Sequence, residues 1–345
     1  MFCVSQVGDL FFFGYLFLTT QYLMTSNGLE IEALTPALAF EYVRVGPILA
    51  HVTTLLGLGL SSAVFLKSAQ TFFYPWLLDA MEAPVPISAQ LHSSTLVIIG
   101  FYLFFRQRAL LELAPGVLNV FIVAGTLTVV GASILAFFQH DGKRLLACST
   151  ASQLGYVVVA LGVRAWEEAL LLLIFCCCNK AYTFVWFGAL MQTHHGISDF
   201  RLLAAHPRTT WVAHAGLSVA IANATVVPGG FAWHIKGLIS TSSPWDTSLA
   251  EFGIEVLQLT WFFSTLYLLT LYITLFMRPL RGPSSELAAS PKPVRGQRGW
   301  GRSMYGPGFI VVMLVLLIAI ALPHQAWGAY VPVEWLASAS ALSYY

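Results

Sequence analysis

Residues 168–192 read EALLLLIFCCCNKAYTFVWFGALMQ. As a helix rising 1.5 Å per residue, this run is roughly 37 Å long, enough to cross a hydrocarbon core of about 30 Å. Near its middle stands one cation, Lys180. An ammonium at the centre of a bilayer costs roughly 2.5–3.5 kcal/mol on insertion scales. Lys180 is too deep to stretch to either headgroup layer, whereas a lysine at the end of a run can do so. Ionisable groups kept inside a membrane mark ion and proton paths. The pattern recurs twice: Lys67 ends GPILAHVTTLLGLGLSSAVFLK (46–67), and Lys236 lies in GGFAWHIKGLI (229–239).

The composition says why such runs dominate. The chain has 345 residues, 57% of them hydrophobic and only 10% charged, with mean hydropathy +0.75. Soluble domains carry roughly 25% charged residues, so most of this surface must meet lipid or other membrane protein. A net charge of +1 and the lack of a basic stripe exclude a nucleic-acid partner. The five cysteines include the run Cys176, Cys177 and Cys178 and have no CxxC or Cys/His spacing, so they make neither a disulfide framework nor a metal site.

Further apolar segments fall at about 7–25, 45–66 (continuing brokenly to 81), 88–105, 116–137, 145–163, 209–241 (interrupted), 255–277 and 307–323. With 168–192 they predict an all-α polytopic membrane protein of about nine transmembrane helices. Two of these should be broken, one at Pro75 and one at Pro228, Gly229 and Gly230, because proline and glycine interrupt the helical ladder. Interrupted segments that hold a lysine point to a transport site in repeat-built transporters. The first basic residue is Arg44, so the N-terminal run lacks the basic region of a secretory signal and reads as a retained first helix.

Alternating the crossings puts Lys143, Arg144, Arg201, Arg208 and the basic residues of the polar loop 278–306 on the side of the N-terminus. Arg44, Arg106, Arg108 and Arg164 fall on the other side. The excess marks the N-terminal side as cytoplasm or matrix. A lysine withdrawn from water exchanges a proton near neutral pH more readily than a solvated one. A row of such lysines, with water between, makes a proton relay, so the residues themselves predict a proton or cation translocator. His92, opening QLHSSTLVIIG, and His51 are further proton carriers by type. No acid lies deep in any segment, and Asp9 sits at the start of the first; the lysines are therefore expected to lack a carboxylate partner in their own chain.

Longer motifs add a resemblance. KSAQTFFYPWLLDAMEAPVPISAQLHSSTLV (67–97) is similar to the signature of the antiporter-like membrane subunits of respiratory complex I, above all NADH dehydrogenase subunit 5, and Mrp-type cation/proton antiporters share much of it. HDGKRLLACSTASQLGYVVVALGV (140–163), NKAYTF (179–184), PGGFAWHIKG (228–237) and VSQVGDLFFFGYLF (4–17) resemble further motifs of that family in the same order. The likeness covers roughly residues 3–240.

The resemblance implies two inverted five-helix repeats, each with one broken helix. Residues 1–105 would be the latter part of the first repeat, 116–277 the complete second, 278–306 a polar basic loop, and 307–345 a final helix and tail. The family's earlier helices, one bearing a glutamate that pairs with the lysine matching Lys67, have no counterpart here. This reads as the C-terminal piece of a split subunit, completed by a companion chain. By the same resemblance Lys67 would be the first-channel lysine, His92 its nearby histidine, Lys143 the central-axis lysine, Lys180 the connecting lysine and Lys236 the terminal lysine. Read from its own neighbours, HDGKR is equally a positive-inside loop. NADH, FMN, iron–sulfur clusters and ubiquinone would be held by partner subunits and none by this chain. The expected partners are other membrane-arm subunits and membrane lipids, in the mitochondrial inner membrane.

Two positions depart from the family. Where it commonly has histidines four and eight residues before the connecting lysine, this chain has Cys176 and Leu172; where it commonly has an acid after the terminal lysine, this chain has Gly237. These losses also suit a non-conducting spacer of the membrane arm, and MEAPVPIS leans toward a free-standing Na⁺/H⁺ antiporter subunit. The short pattern His194-x4-Asp199 would suit an acyltransferase, but no catalytic domain surrounds it.

Overall fold

The computed structural model describes residues 2–24, 42–45, 48–93, 95–193, 196–201, 211–225, 231–242 and 248–276. Among them the chain is almost entirely helical. In order come α1 (Phe2–Leu23), the strands β1 (Tyr42–Val45) and β2 (Ile48–His51), α2 (Val52–Lys67), α3 (Pro75–Asp79), α4 (Val85–Ser93), α5 (Ile99–Arg106) and α6 (Arg108–Glu112). Then follow α7 (Pro115–Phe138), α8 (Gly142–Gly162), α9 (Trp166–Thr193), α10 (Trp211–Ala224), α11 (Phe231–Ser242) and α12 (Ser248–Phe276). Four of these, α7, α8, α9 and α12, are long and apolar enough to cross a membrane.

Two expected segments differ from the structure. The helix expected from residue 45 begins only at Val52; before it, β1 and β2 pair antiparallel with Tyr42 opposite His51. YVRV is rich in the β-branched and aromatic types that favour strands, and the Gly46–Pro47 sequence before ILAH is a turn signal. The segment expected to run unbroken over 88–105 is divided into α4 and α5. There the Ser93 hydroxyl donates to the Ala89 carbonyl (2.5 Å) and the Thr95 hydroxyl to that of Gln90 (3.2 Å). Such side-chain bonds offer the backbone an alternative to the helical ladder.

The break after Lys67 is present. Ala69 and Thr71 take positive φ (55° and 54°), then a 3₁₀ turn covers Thr71–Phe73, and Pro75 occupies the first position of α3, where its missing N–H is no loss. The carbonyls freed at the end of α2 are taken up. Ser68 N–H and its hydroxyl both bond Val64, Gln70 N–H bonds Phe65, and the Trp76 indole N–H bonds Leu66 (3.2 Å). The expected second break, at 228–230, lies outside the described residues, between α10 and α11; so do the loop 278–306 and the segment 307–323.

Helix α8 is the centre of the bundle. Apart from Lys143 and Arg144, every residue of it is buried. Its closest neighbour is α7, and Gly125 and Gly155 allow the approach: a Cβ on either would stand within 3.1 Å of the other's carbonyl oxygen. Helix α9 packs on α8 and α4, α12 on α7, and α1 on α2. Facing outward are Val120, Val123, Leu127 and Ile134 of α7 and Phe252, Leu259 and Phe262 of α12. An apolar outer face over a core that contains the polar groups is the arrangement a membrane demands.

Candidate functional site

The bundle positions the lysines on different helices around α8. Lys180 of α9 is 2% exposed, and its ammonium donates to the Ser149 hydroxyl of α8, which is itself fully buried. Lys236 of α11 is 4% exposed; its Nζ stands 3.9 Å from the centroid of the Tyr156 ring on α8 and 6.0 Å from that of Trp261 on α12. The Tyr156 hydroxyl shares a 2.8 Å hydrogen bond with that of Thr260. Ser149, Ser152, Gln153 and Tyr156 are spaced i, i+3, i+4 and i+7, so they form one polar stripe along the buried part of the helix. One end of this stripe holds Lys180 and the other holds Lys236.

Cys176 is buried on the Lys180 face of α9, one turn before the lysine, and lies within electrostatic reach of both Lys180 and Lys236. Leu172 stands one turn further back and is also buried. His92 of α4 stacks on Phe184 of α9 (centroids 5.1 Å, planes 20° apart), one turn beyond Lys180 on the same helix. The cause is that α4 packs along α9. His92 Nδ1 and Nε2, Gln153 Oε1, Asn179 Oδ1 and the Tyr182 hydroxyl are buried without a hydrogen-bond partner among the described residues. Buried polar atoms require one.

The expectation that the lysines lack a carboxylate in their own chain is corrected at Lys67. Its ammonium forms an ion pair with Asp9 of α1. Because α1 starts at Phe2, Asp9 lies about two turns inside the helix and not at its start. Gly8 lets α1 lie against the last turn of α2, where a Cβ at position 8 would stand 3.3 Å from Leu66 Cβ and 3.4 Å from Lys67 Cγ. The pair is only partly covered, with the lysine side chain 26% and the aspartate 42% exposed. Among the described residues Lys180 and Lys236 have no ion pair.

Lys143 opens α8, apart from the other lysines. Its ammonium donates to the carbonyls of Ala83 (3.0 Å) and Met81 (3.5 Å), at the end of the broken segment that follows Lys67. Beside it, Asp141 accepts from the Ser198 hydroxyl (3.0 Å), and Gly142 N–H donates to the Ser198 carbonyl (3.0 Å). Asp199 is committed to Arg201, which reaches it through backbone N–H, Nε and Nη2 at 2.8–3.1 Å. Those bonds hold the Asp199 carboxyl below its ordinary range. The proposed partner in an acyltransferase pattern, His194, lies outside the described residues. No three His, Cys, Asp or Glu side chains among the described residues cluster as a metal would need.

Sequence reasoning missed Asp9, Ser149, Tyr156, Thr260 and Trp261 as neighbours of the lysines. The i, i+3, i+7 spacing of Ser149, Ser152 and Tyr156 was a readable signal within 140–163; the contacts of Thr260 and Trp261 had none.

Residues 1–239 match the family described as NADH:quinone oxidoreductase/Mrp antiporter, TM. The chain is 40% identical over 192 residues to NADH-quinone oxidoreductase subunit L of Buchnera aphidicola subsp. Acyrthosiphon pisum, covering 56% of this chain and 30% of that one. It is 34% identical over 202 residues to NADH-ubiquinone oxidoreductase chain 5 of Chondrus crispus, covering 59% and 30%. With chain 5 of Neurospora crassa it shares 28% over 280 residues, covering 81% and 38%. The chain thus spans between 30% and 38% of the length of these relatives. Lys67, Lys180 and Lys236 all fall within the matched residues, and the chain belongs to the NADH:quinone oxidoreductase/Mrp antiporter transmembrane family.

Proposed function

We propose that this chain is a proton-translocating subunit of the membrane arm of respiratory complex I, in the mitochondrial inner membrane, and that protons move through it by a relay of buried lysines and water. Redox chemistry on NADH, FMN, iron–sulfur clusters and ubiquinone belongs to partner subunits. The observation that carries the reading is the joining of Lys180 and Lys236 by the polar stripe of α8, inside an apolar bundle and within the span matched to the family. The orphaned groups on α4, α8 and α9 support it, since each is a place where water would be held.

Residues 1–105 and 116–277 act as a partial and a complete repeat. Coupling begins at Lys67: when the membrane arm changes state, the pairing of Lys67 with Asp9 is altered. The altered charge favours passage of a proton from Lys180 to Lys236. Reprotonation comes from the side of the basic loop, and release is to the opposite side. His92 feeds Lys180 from α4.

The test is Lys180→Met in the assembled complex, reading protons translocated per NADH oxidised. Assembly with a reduced ratio is expected. An unchanged ratio removes the relay and leaves the non-conducting spacer. Na⁺-dependent proton flux from the chain outside any NADH-oxidising assembly would favour the antiporter reading instead.

A further inference from the structure

Lys236 is followed by Gly237, and among the described residues no carboxylate pairs with Lys236. What surrounds the ammonium is aromatic. The Tyr156 ring lies 3.9 Å from Nζ, and Trp261 offers a second ring at 6.0 Å. A ring face carries negative quadrupole and attracts a cation most strongly where water is excluded. Lys236 is 4% exposed and Tyr156 1%, so the contact is of that desolvated kind. Tyr156 is also held firmly: its hydroxyl meets Thr260 at 2.8 Å and reaches the Leu257 carbonyl at 3.5 Å, both on α12. A tyrosine whose polar tip is anchored on one helix and whose face is turned to a lysine on another is placed for the ring as much as for the hydroxyl.

We infer that Tyr156 is a positioning residue for Lys236, and that its ring face, assisted by Trp261, is the group that stabilises the charged lysine. This rests on the proposed relay. Through Tyr156, α8 holds the terminal lysine as Ser149 holds the connecting one, so both proton-carrying groups are set from a single helix.

The geometry also supplies the test. A Cβ built on Gly237 meets nothing within 4 Å, so a carboxylate side chain can be started there without displacing a neighbour. In the assembled complex, Tyr156→Leu is expected to lower the ratio of protons translocated per NADH, and Tyr156→Phe, which keeps the ring and loses only the bond to Thr260, is expected to lower it clearly less. Adding Gly237→Glu to Tyr156→Leu is expected to restore it. Packing of α8 against α12 would not be repaired by a carboxylate on α11. A Tyr156→Leu complex with the parental ratio, a defect in Tyr156→Phe as large as in Tyr156→Leu, or no restoration by Gly237→Glu would each overturn the inference. If Tyr156→Leu does not assemble, Trp261→Leu carries the same comparison: a partial loss restored by Gly237→Glu supports the role of the rings, and a parental ratio or an unrestored loss refutes it. Lys236→Met separates the two layers of the argument. If it abolishes the contribution while Tyr156→Leu does not, only the role of the ring fails; if it changes nothing, the relay and the ring fall together.

Discussion

Two glycines of α7 make opposite predictions. At Gly125 a Cβ would stand 2.7 Å from Val159 Cγ2, 2.9 Å from the Gly155 carbonyl oxygen and 3.0 Å from Val159 N; at Gly131, nearly two turns along the same helix, it would meet nothing within 4 Å. The valine methyl can rotate, but the oxygen and nitrogen belong to the backbone of α8. Relief to ordinary contact therefore requires α7 and α8 to separate by about half an ångström, in a core packed to crystal-like density. Overpacking of this kind costs about 1–3 kcal/mol. The gain in helix propensity from glycine to alanine, at most about 1 kcal/mol, is common to both sites and cancels in the comparison. Gly125→Ala should therefore be less stable than Gly131→Ala by about 1–3 kcal/mol, roughly 5- to 160-fold in the ratio of folded to unfolded. The assay is the thermal midpoint of the assembled complex for each variant, with assembly scored by native electrophoresis. Equal midpoints, or a lower one for Gly131→Ala, would show that α7 and α8 do not approach at Gly125.

Three further perturbations follow from the same contacts. Asp9→Asn removes the carboxylate facing Lys67; fewer protons per NADH are expected, Asp9→Glu should restore most of the loss, and an indifferent Asn variant would make the ion pair incidental. Lys143→Met leaves the Ala83 and Met81 carbonyls without their donor, at about 1 kcal/mol for a partly solvated bond. Amide exchange over 75–83 should rise while that of α12 stays constant, and a uniform response would count against a local role. The Asp199 carboxyl is held low by hydrogen bonds from Arg201, so its contribution to the 196–201 turn is complete above the ordinary carboxylate pKa of about 3.9 and is lost as the pH falls through the lower folded value. The protection factor of the Arg201 amide, its exchange rate relative to the free-peptide rate at each pH, should be flat from pH 8 to 5 and fall only below about pH 4; a fall already near pH 6 would contradict the pairing.

The lysines were legible in the sequence because lipid makes them expensive: a cation inside an apolar run stands out without any knowledge of its neighbours. The break after Lys67 was legible for a similarly local reason, Pro75 within an apolar pattern. What remained hidden depends on register between helices. Asp9 looked marginal because the start of α1 was placed at residue 7; moving that start to Phe2 turns a boundary acid into one two turns deep. Nothing local to His92 says that α4 packs along α9 and so lays its ring on Phe184. The division at 94–98 was masked by an apolar run whose serine and threonine hydroxyls take backbone carbonyls for themselves. Tyr156 read as one more aromatic of a greasy helix, and only the packing of α11 and α12 gives its ring a cation and its hydroxyl a partner.

Helix α8 brings these observations together. A helix buried on all sides gains nothing from polar residues unless each has a partner. On α8 Ser149 meets Lys180, Ser152 meets Ser133 of α7 at 3.0 Å, and Tyr156 meets Thr260 while turning its face to Lys236. The start of the same helix is tied through Lys143 to the end of the broken segment that Lys67 begins, and through Asp141 and Gly142 to the turn after α9. The glycine contact with α7 leaves it little lateral freedom. A shift of the broken segment would therefore load the Lys143 bonds or displace α8 along its axis. Motion along the axis carries Ser149 past Lys180 and Tyr156 past Lys236 together. The two buried lysines would then respond in concert to an event at the first, with no direct contact among the three ammonium groups.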